Sequence, residues 1–75
     1  MKDYIHLIVI NPEVRFGKPC IVGTRITVSD ILQWLASGST QEEILNDYPS
    51  LKAEHIFAAL AFAADRENFI KFIAA

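Results

Sequence analysis

"TVSDILQWLASGSTQEEILNDYP", residues 27–49, decides the fold class of this chain. Ahead of it the apolar residues alternate. From Thr27 onward they recur with helical spacing, so the period changes from two to about 3.6. Thr27 and Asp30 stand in a capping-box arrangement, and Val28, Ile31, Leu32 and Leu35 form one apolar stripe. Gly38 falls where a helix C-terminus asks for a left-handed residue. Thr40 and Glu43 repeat the box and open a second, short helix that turns Ile44, Leu45 and Tyr48 inward and is closed by Pro49. Two short helices joined through "ASGST" have the organisation of a helix-turn-helix.

C-terminal to this stretch, Leu51 and Ile56 are placed as a hydrophobic staple for a third helix starting near Ala53. Lys52 takes the cap position, where lysine is poor, so this start is expected to fray. The spacing puts Ile56, Phe57, Leu60, Ala63 and Ala64 on the core face. If the helix runs on, Phe62, Arg66, Phe69 and Ile73 make a second face. Asp65 serves equally well as the N-cap of a separate fourth helix. The segment "NFIKFIAA" carries more apolar surface than a frayed end should expose. Phe62, Phe69, Ile70, Phe72 and Ile73 are therefore read as a contact surface for another chain.

On the N-terminal side, Tyr4 to Ile10 reads as a strand ended by Asn11-Pro12. Alternation sets Tyr4, His6, Ile8 and Ile10 on one face and Ile5, Leu7 and Val9 on the other. Both faces are largely apolar, which predicts cover on both sides. A second subunit is the natural source of the second cover, making Ile5, Leu7 and Val9 candidate interface residues. Two short extended pieces then flank Gly17-Lys18-Pro19, where Pro19 keeps Lys18 out of helical space. Gly17 and Gly23 are read as turn or bulge positions. The expected architecture is mainly α and a single domain: a β segment over 1–27, a helical bundle over 28–64 and a helical tail over 65–75, with three to four helices.

Composition narrows the function classes. The chain has 75 residues, 52% of them hydrophobic, and a mean hydropathy of +0.27. So short a chain buries only about 60% of its unfolded surface, so this apolar content favours a homodimer, a higher oligomer or an obligate partner. One cysteine excludes an intrachain disulfide or a multi-cysteine zinc site, and Cys20 is read as a small buried hydrophobe. No apolar run approaches a membrane span and no cleavable signal is visible, so a cytoplasmic protein is expected. Net charge is −2, unevenly spread. Residues 1–29 hold Lys2, Arg15, Lys18 and Arg25 against Asp3 and Glu13, while residues 30–75 hold Lys52, Arg66 and Lys71 against seven acids. Any polyanion contact should therefore favour the N-terminal third.

The stretch "GKPCIVGTRITVSDIL" brings glycines, a proline and two bases ahead of a helix, yet it is no phosphate loop. Its lysine follows the first glycine, a proline follows the lysine, and the helix waits until Val28. His6 and His55 have no partners at metal-binding spacing, and Glu42, Glu43 and Asp47 read as caps and a solvated face. No catalytic residue, metal or cofactor is expected. For nucleic acid, the helix after "ASGST" exposes acidic residues that phosphate would repel. Arg15, Lys18, Arg25 and Lys52 remain as candidate phosphate contacts. Arg25 has a competing structural reading: it could bridge carbonyls in the Gly23 turn or pair with Asp30.

The pattern Asn11-Pro12, Gly17-Lys18-Pro19, Gly23-Thr24-Arg25-Ile26, Val28, Ile31-Leu32, Gly38, Glu43-Ile44, Tyr48-Pro49, Leu51 and Ile56 with Ala59-Leu60 resembles domain-of-unknown-function family 433. The resemblance runs from about Ile8 to Ala64. This small bacterial family is described as VapB-like antitoxins. It implies a short β segment followed by a homeodomain-like helix-turn-helix bundle. It also implies a role as the antitoxin of a toxin–antitoxin pair, neutralising a PIN-like RNase toxin by direct binding, with operator DNA as a second partner for autoregulation. One departure is Lys52, which stands where the family often carries a threonine-type cap. The alternative is a protein-interaction or dimerisation module that does not bind DNA.

Overall fold

The computed structural model describes the backbone of residues 2–74 and the side chains of residues 4–67. Three α-helices follow a short β ribbon: β1 is Ile8–Val9, β2 is Cys20–Ile21, α1 is Val28–Ala36, α2 is Gln41–Asp47 and α3 is Ala53–Ala74. The mainly helical class expected from the sequence is what forms.

Both capping boxes close. In α1 the Asp30 N–H donates to Thr27 Oγ1 at 2.8 Å and the Thr27 N–H returns to Asp30 Oδ2 at 3.1 Å. In α2 the Thr40 N–H and Glu43 Oε1 are 2.8 Å apart, with the reciprocal bond at 3.1 Å. Each box satisfies donors that a helix start otherwise leaves orphaned. Between the helices, Gly38 has φ +103°, with its N–H on the Leu35 carbonyl (3.1 Å) and the Ser39 N–H on the Trp34 carbonyl (3.0 Å). This crossed pair is a Schellman stop, which the glycine permits. Tyr48 was expected inward; it lies at the rim instead, its ring stacked on Trp34 with centroids 4.4 Å apart.

The core gathers Ile21 from β2, Val28 and Ile31 from α1, Ile44 from α2, Leu51, and Ile56 and Ala59 from α3. Leu51 and Ile56 are both buried, as the staple requires. Cys20 is buried too, its thiol directed at the Lys18 carbonyl.

Two further expectations are corrected, and one open alternative is decided. First, the strand expected over Tyr4–Ile10 is mostly absent. Lys2–Leu7 forms a 3₁₀ segment, and only Ile8 and Val9 pair, antiparallel, with Ile21 and Cys20. The segment lies along α3 rather than beside a second strand. Tyr4 donates its hydroxyl hydrogen to Asp65 and meets Phe62 edge to face, centroids 6.5 Å apart. Without a ladder, its backbone groups find partners three residues away along the chain. The two-face assignment of Ile5, Leu7 and Val9 fails with the strand.

Second, α3 turns a different face to the core. His55, Ile56, Ala58, Ala59 and Ala61 are buried, whereas Phe57 is 60% exposed, Leu60 is 42% exposed, and Ala64 is exposed. The helix is flanked by α1 and by the 3₁₀ segment. Alanine lets both neighbours approach closely, and the bulkier Phe57 and Leu60 are left on the outward arc at i and i+3. Third, α3 does not break at Asp65 but runs as one helix of 22 residues, about 33 Å at 1.5 Å per residue. It outreaches its partners of nine and seven residues. The radius of gyration, 12.6 Å, accordingly exceeds the roughly 11 Å of a compact chain this long.

Candidate partner-binding surface

The connection from Asn11 to Arg25 carries most of the sequence-predicted cations, and its geometry decides which are free. The Asn11 side chain accepts from the Glu13 N–H at 2.9 Å and its carbonyl accepts from the Val14 N–H at 2.9 Å, setting a tight bend. Arg15, Phe16 and Gly17 then take positive φ values in succession: 50°, 60° and 79°. The Gly17 N–H reaches the Val14 carbonyl at 3.1 Å and the Lys18 N–H the Arg15 carbonyl at 3.2 Å. The chain leaves this left-handed turn through Pro19 into β2. It turns again at Gly23, where Thr24 Oγ1 donates to the Ile21 carbonyl at 2.8 Å and accepts from the Ile26 N–H at 3.0 Å.

Arg15 ties the turn to α1. Its Nη1 donates to the Arg25 carbonyl at 2.8 Å and to Asp30 Oδ2 at 3.1 Å. Burial pushes the Asp30 carboxyl up, but the Thr27 N–H, the Arg15 guanidinium and the Thr27 hydroxyl together outweigh it and hold the group below its ordinary value. The structural pairing proposed for Arg25 is thus filled by Arg15. Arg25 supplies only its carbonyl, and its side chain is exposed, as is that of Lys18. Of the four candidate phosphate contacts, Arg15 is engaged within the fold and Lys18, Arg25 and Lys52 face solvent.

Lys52 shows what its neighbour contributes. The Lys52 N–H donates to His55 Nδ1 at 2.9 Å, and the His55 N–H returns to the Lys52 carbonyl at 2.9 Å. The buried imidazole closes the start of α3 from the third helical position, so the fraying expected of a lysine cap is countered by His55. The signal was present in the spacing: His55 follows Lys52 as Asp30 follows Thr27 and Glu43 follows Thr40.

Among the candidate interface residues, Ile5 and Val9 are exposed and Leu7 is half-buried. Phe62 packs inward against Tyr4 and the core, with the Arg66 guanidinium 5.6 Å from its ring centroid. Phe69, Ile70, Phe72 and Ile73 lie outside the residues whose side chains are described. Phe16, which the sequence reading passed over, is the most exposed large apolar side chain described, at 96%. No sequence signal separates it from a residue that folds inward. Among the described residues no group of three or more His, Cys, Asp or Glu could hold a metal ion, and no helix is long and apolar enough to cross a membrane.

Residues 8–63 match the family model described as protein of unknown function, DUF433. This chain belongs to the DUF433 family. A solved DUF433 member from Anabaena variabilis superposes with a TM-score of 0.76 at 30% identity, covering 99% of this chain and 78% of that one. An uncharacterized Sinorhizobium fredii protein, y4eO, is 35% identical over 57 residues, 76% of this chain. The chain spans about a quarter (26%) of that relative's length. The DUF433 match begins at β1 and ends in α3, so it covers the left-handed turn, both capping boxes and the exposed Phe57–Leu60 arc.

Proposed function

We propose that this DUF433 chain is a non-enzymatic partner-binding domain that acts as the antitoxin of a toxin–antitoxin pair, neutralising a PIN-like RNase by direct contact. The observation that supports it is exposed apolar surface. Ile5, Val9, Ile10, Phe16, Phe57 and Leu60 all face solvent on a bundle whose core is built from small and medium side chains. Several large apolar groups left out of so small a core favour cover by another chain. The resemblance to VapB-like antitoxins supplies the class of partner. The test is to purify this chain with the RNase encoded beside its gene and titrate it against RNA cleavage. Stoichiometric complex formation and loss of cleavage are expected; a nuclease that elutes alone and keeps its activity overturns the reading.

A second reading, operator DNA binding, is favoured by Lys18 and Arg25, whose side chains are exposed on the connection between β1 and α1. Against it stands α2, whose exposed Glu42, Glu43 and Asp47 would repel phosphate. Affinity for the upstream duplex should fall steeply with salt and weaken in Arg25→Ala if DNA is a partner. Salt-independent or absent binding leaves the protein–protein reading alone.

A further inference from the structure

The left-handed turn holds Phe16 away from the protein in a conformation that side chains avoid. Arg15 and Phe16 are the non-glycine residues with positive φ among those described, and they are consecutive. A bulky residue in this region is an outlier, because its Cβ crowds the following carbonyl. The conformation persists because it is fixed from several sides. The backbone bonds from Gly17 and Lys18 close the turn, and the Arg15 guanidinium ties it to the Arg25 carbonyl and to Asp30 at the start of α1. Strain sustained by its surroundings in this way gathers at binding sites. Here it displays a phenyl ring with almost nothing of its own chain against it, while the neighbouring Val14 and Arg15 are half-buried.

We infer that Phe16 is a preorganised anchor that enters an apolar pocket on the partner protein, with Lys18 and Arg25 meeting an acidic rim around that pocket. The inference rests on the partner-binding reading above and names the residue through which it works. Charge supplies the chemistry of the rim. Lys18 follows the turn directly, and Arg25 is tied to the same turn by the bond from Arg15 to its carbonyl. Both are exposed, and among the described residues the ion pair found is that of Arg15 with Asp30. A protein pocket fits better than a nucleic acid. The adjoining ribbon exposes aliphatic Val9 and Val22, which an apolar protein surface would cover and phosphate would not. The turn fixes the backbone that carries the ring, so binding has to order only the two torsions of an aromatic side chain, which is how a single residue comes to dominate an interface.

Phe16→Gly tests this, because glycine accepts the left-handed conformation while losing the ring. The isolated variant should melt at the same temperature as the parent or higher. Its affinity for the purified RNase encoded beside the gene should fall about tenfold or more, and Phe16→Leu should recover part of the loss. Reversing both flanking charges, Lys18→Glu with Arg25→Glu, should slow association and invert its salt dependence, because salt then screens a repulsion. A lowered melting temperature in Phe16→Gly would make the ring structural and overturn the anchor. Undiminished affinity in that variant, with the parent complex intact, overturns the anchor and leaves partner binding standing. A parent chain that forms no complex overturns both. Loss of affinity for a random DNA duplex, with the protein complex unaffected, overturns it in favour of a nucleic-acid wedge.

Discussion

Asp30 does two jobs with one oxygen. Its Oδ2 accepts from the Thr27 N–H to complete the cap of α1 and from Arg15 to hold the left-handed turn, each at 3.1 Å. Its folded value lies below the ordinary 3.8. A depressed carboxylate contributes stability that is present above its unfolded value and is lost as pH falls through the folded one. The denaturant midpoint should therefore drop as pH is lowered beneath the ordinary carboxylate value. Asp30→Asn should remove that part of the dependence and cost about 1 kcal/mol at neutral pH through the weakened cap. Urea titrations of both proteins between about pH 2 and 7 check this; parallel curves would show that Asp30 does not couple the turn to the helix. Arg15→Ala should shift the same profile, because it removes one of the groups that hold the carboxyl down.

The faces of α3 make the next prediction. Ile56→Ala empties a fully buried site and should destabilise by about 2–5 kcal/mol, whereas Leu60→Ala should cost below about 1 kcal/mol. Ala59→Leu should also destabilise, by about 1–3 kcal/mol, because Ala59 is fully buried in the core and the added atoms have no free space. Thermal melts of the three variants decide the matter, and a larger loss from Leu60 than from Ile56 would place the helix the other way round. In the joint between α1 and α2, Gly38→Ala should cost about 1 kcal/mol from the left-handed conformation alone, since a Cβ there meets nothing within 4 Å.

As a molecule, the protein leaves apolar groups uncovered at both the turn and the outward arc of α3. A partner that covers them binds the folded state only, so it must raise the melting temperature with its own concentration. At about a hundredfold excess over Kd the gain is roughly 2.7 kcal/mol. Melting this chain against increasing amounts of the RNase encoded beside its gene should show a steady upward shift. A flat response would mean that the exposed apolar residues are tolerated surface.

The local rules carried α1, α2 and the joint between them. A cap, a box residue three positions on and a glycine stop act through neighbours in sequence, so residues 27–49 alone determine them. The apolar content likewise raised the expectation of a cover supplied by another chain. Tertiary structure decided the rest. Tyr4–Leu7 has β-forming residues but no strand to pair with beyond Ile8, so contact with α3 and Asp65 winds it into 3₁₀ turns. The face of α3 depended on two flanking neighbours, which reward alanine for close approach rather than the largest side chain. The ion pair of Asp30 went to Arg15 instead of Arg25, because a turn of three left-handed residues swings the more distant arginine back over the helix start. The exposure of Phe16 follows from that same turn and from no feature of its sequence neighbours. Spacing along the chain fixes what helices require of themselves, while the direction of a side chain depends on what the rest of the molecule has already packed against.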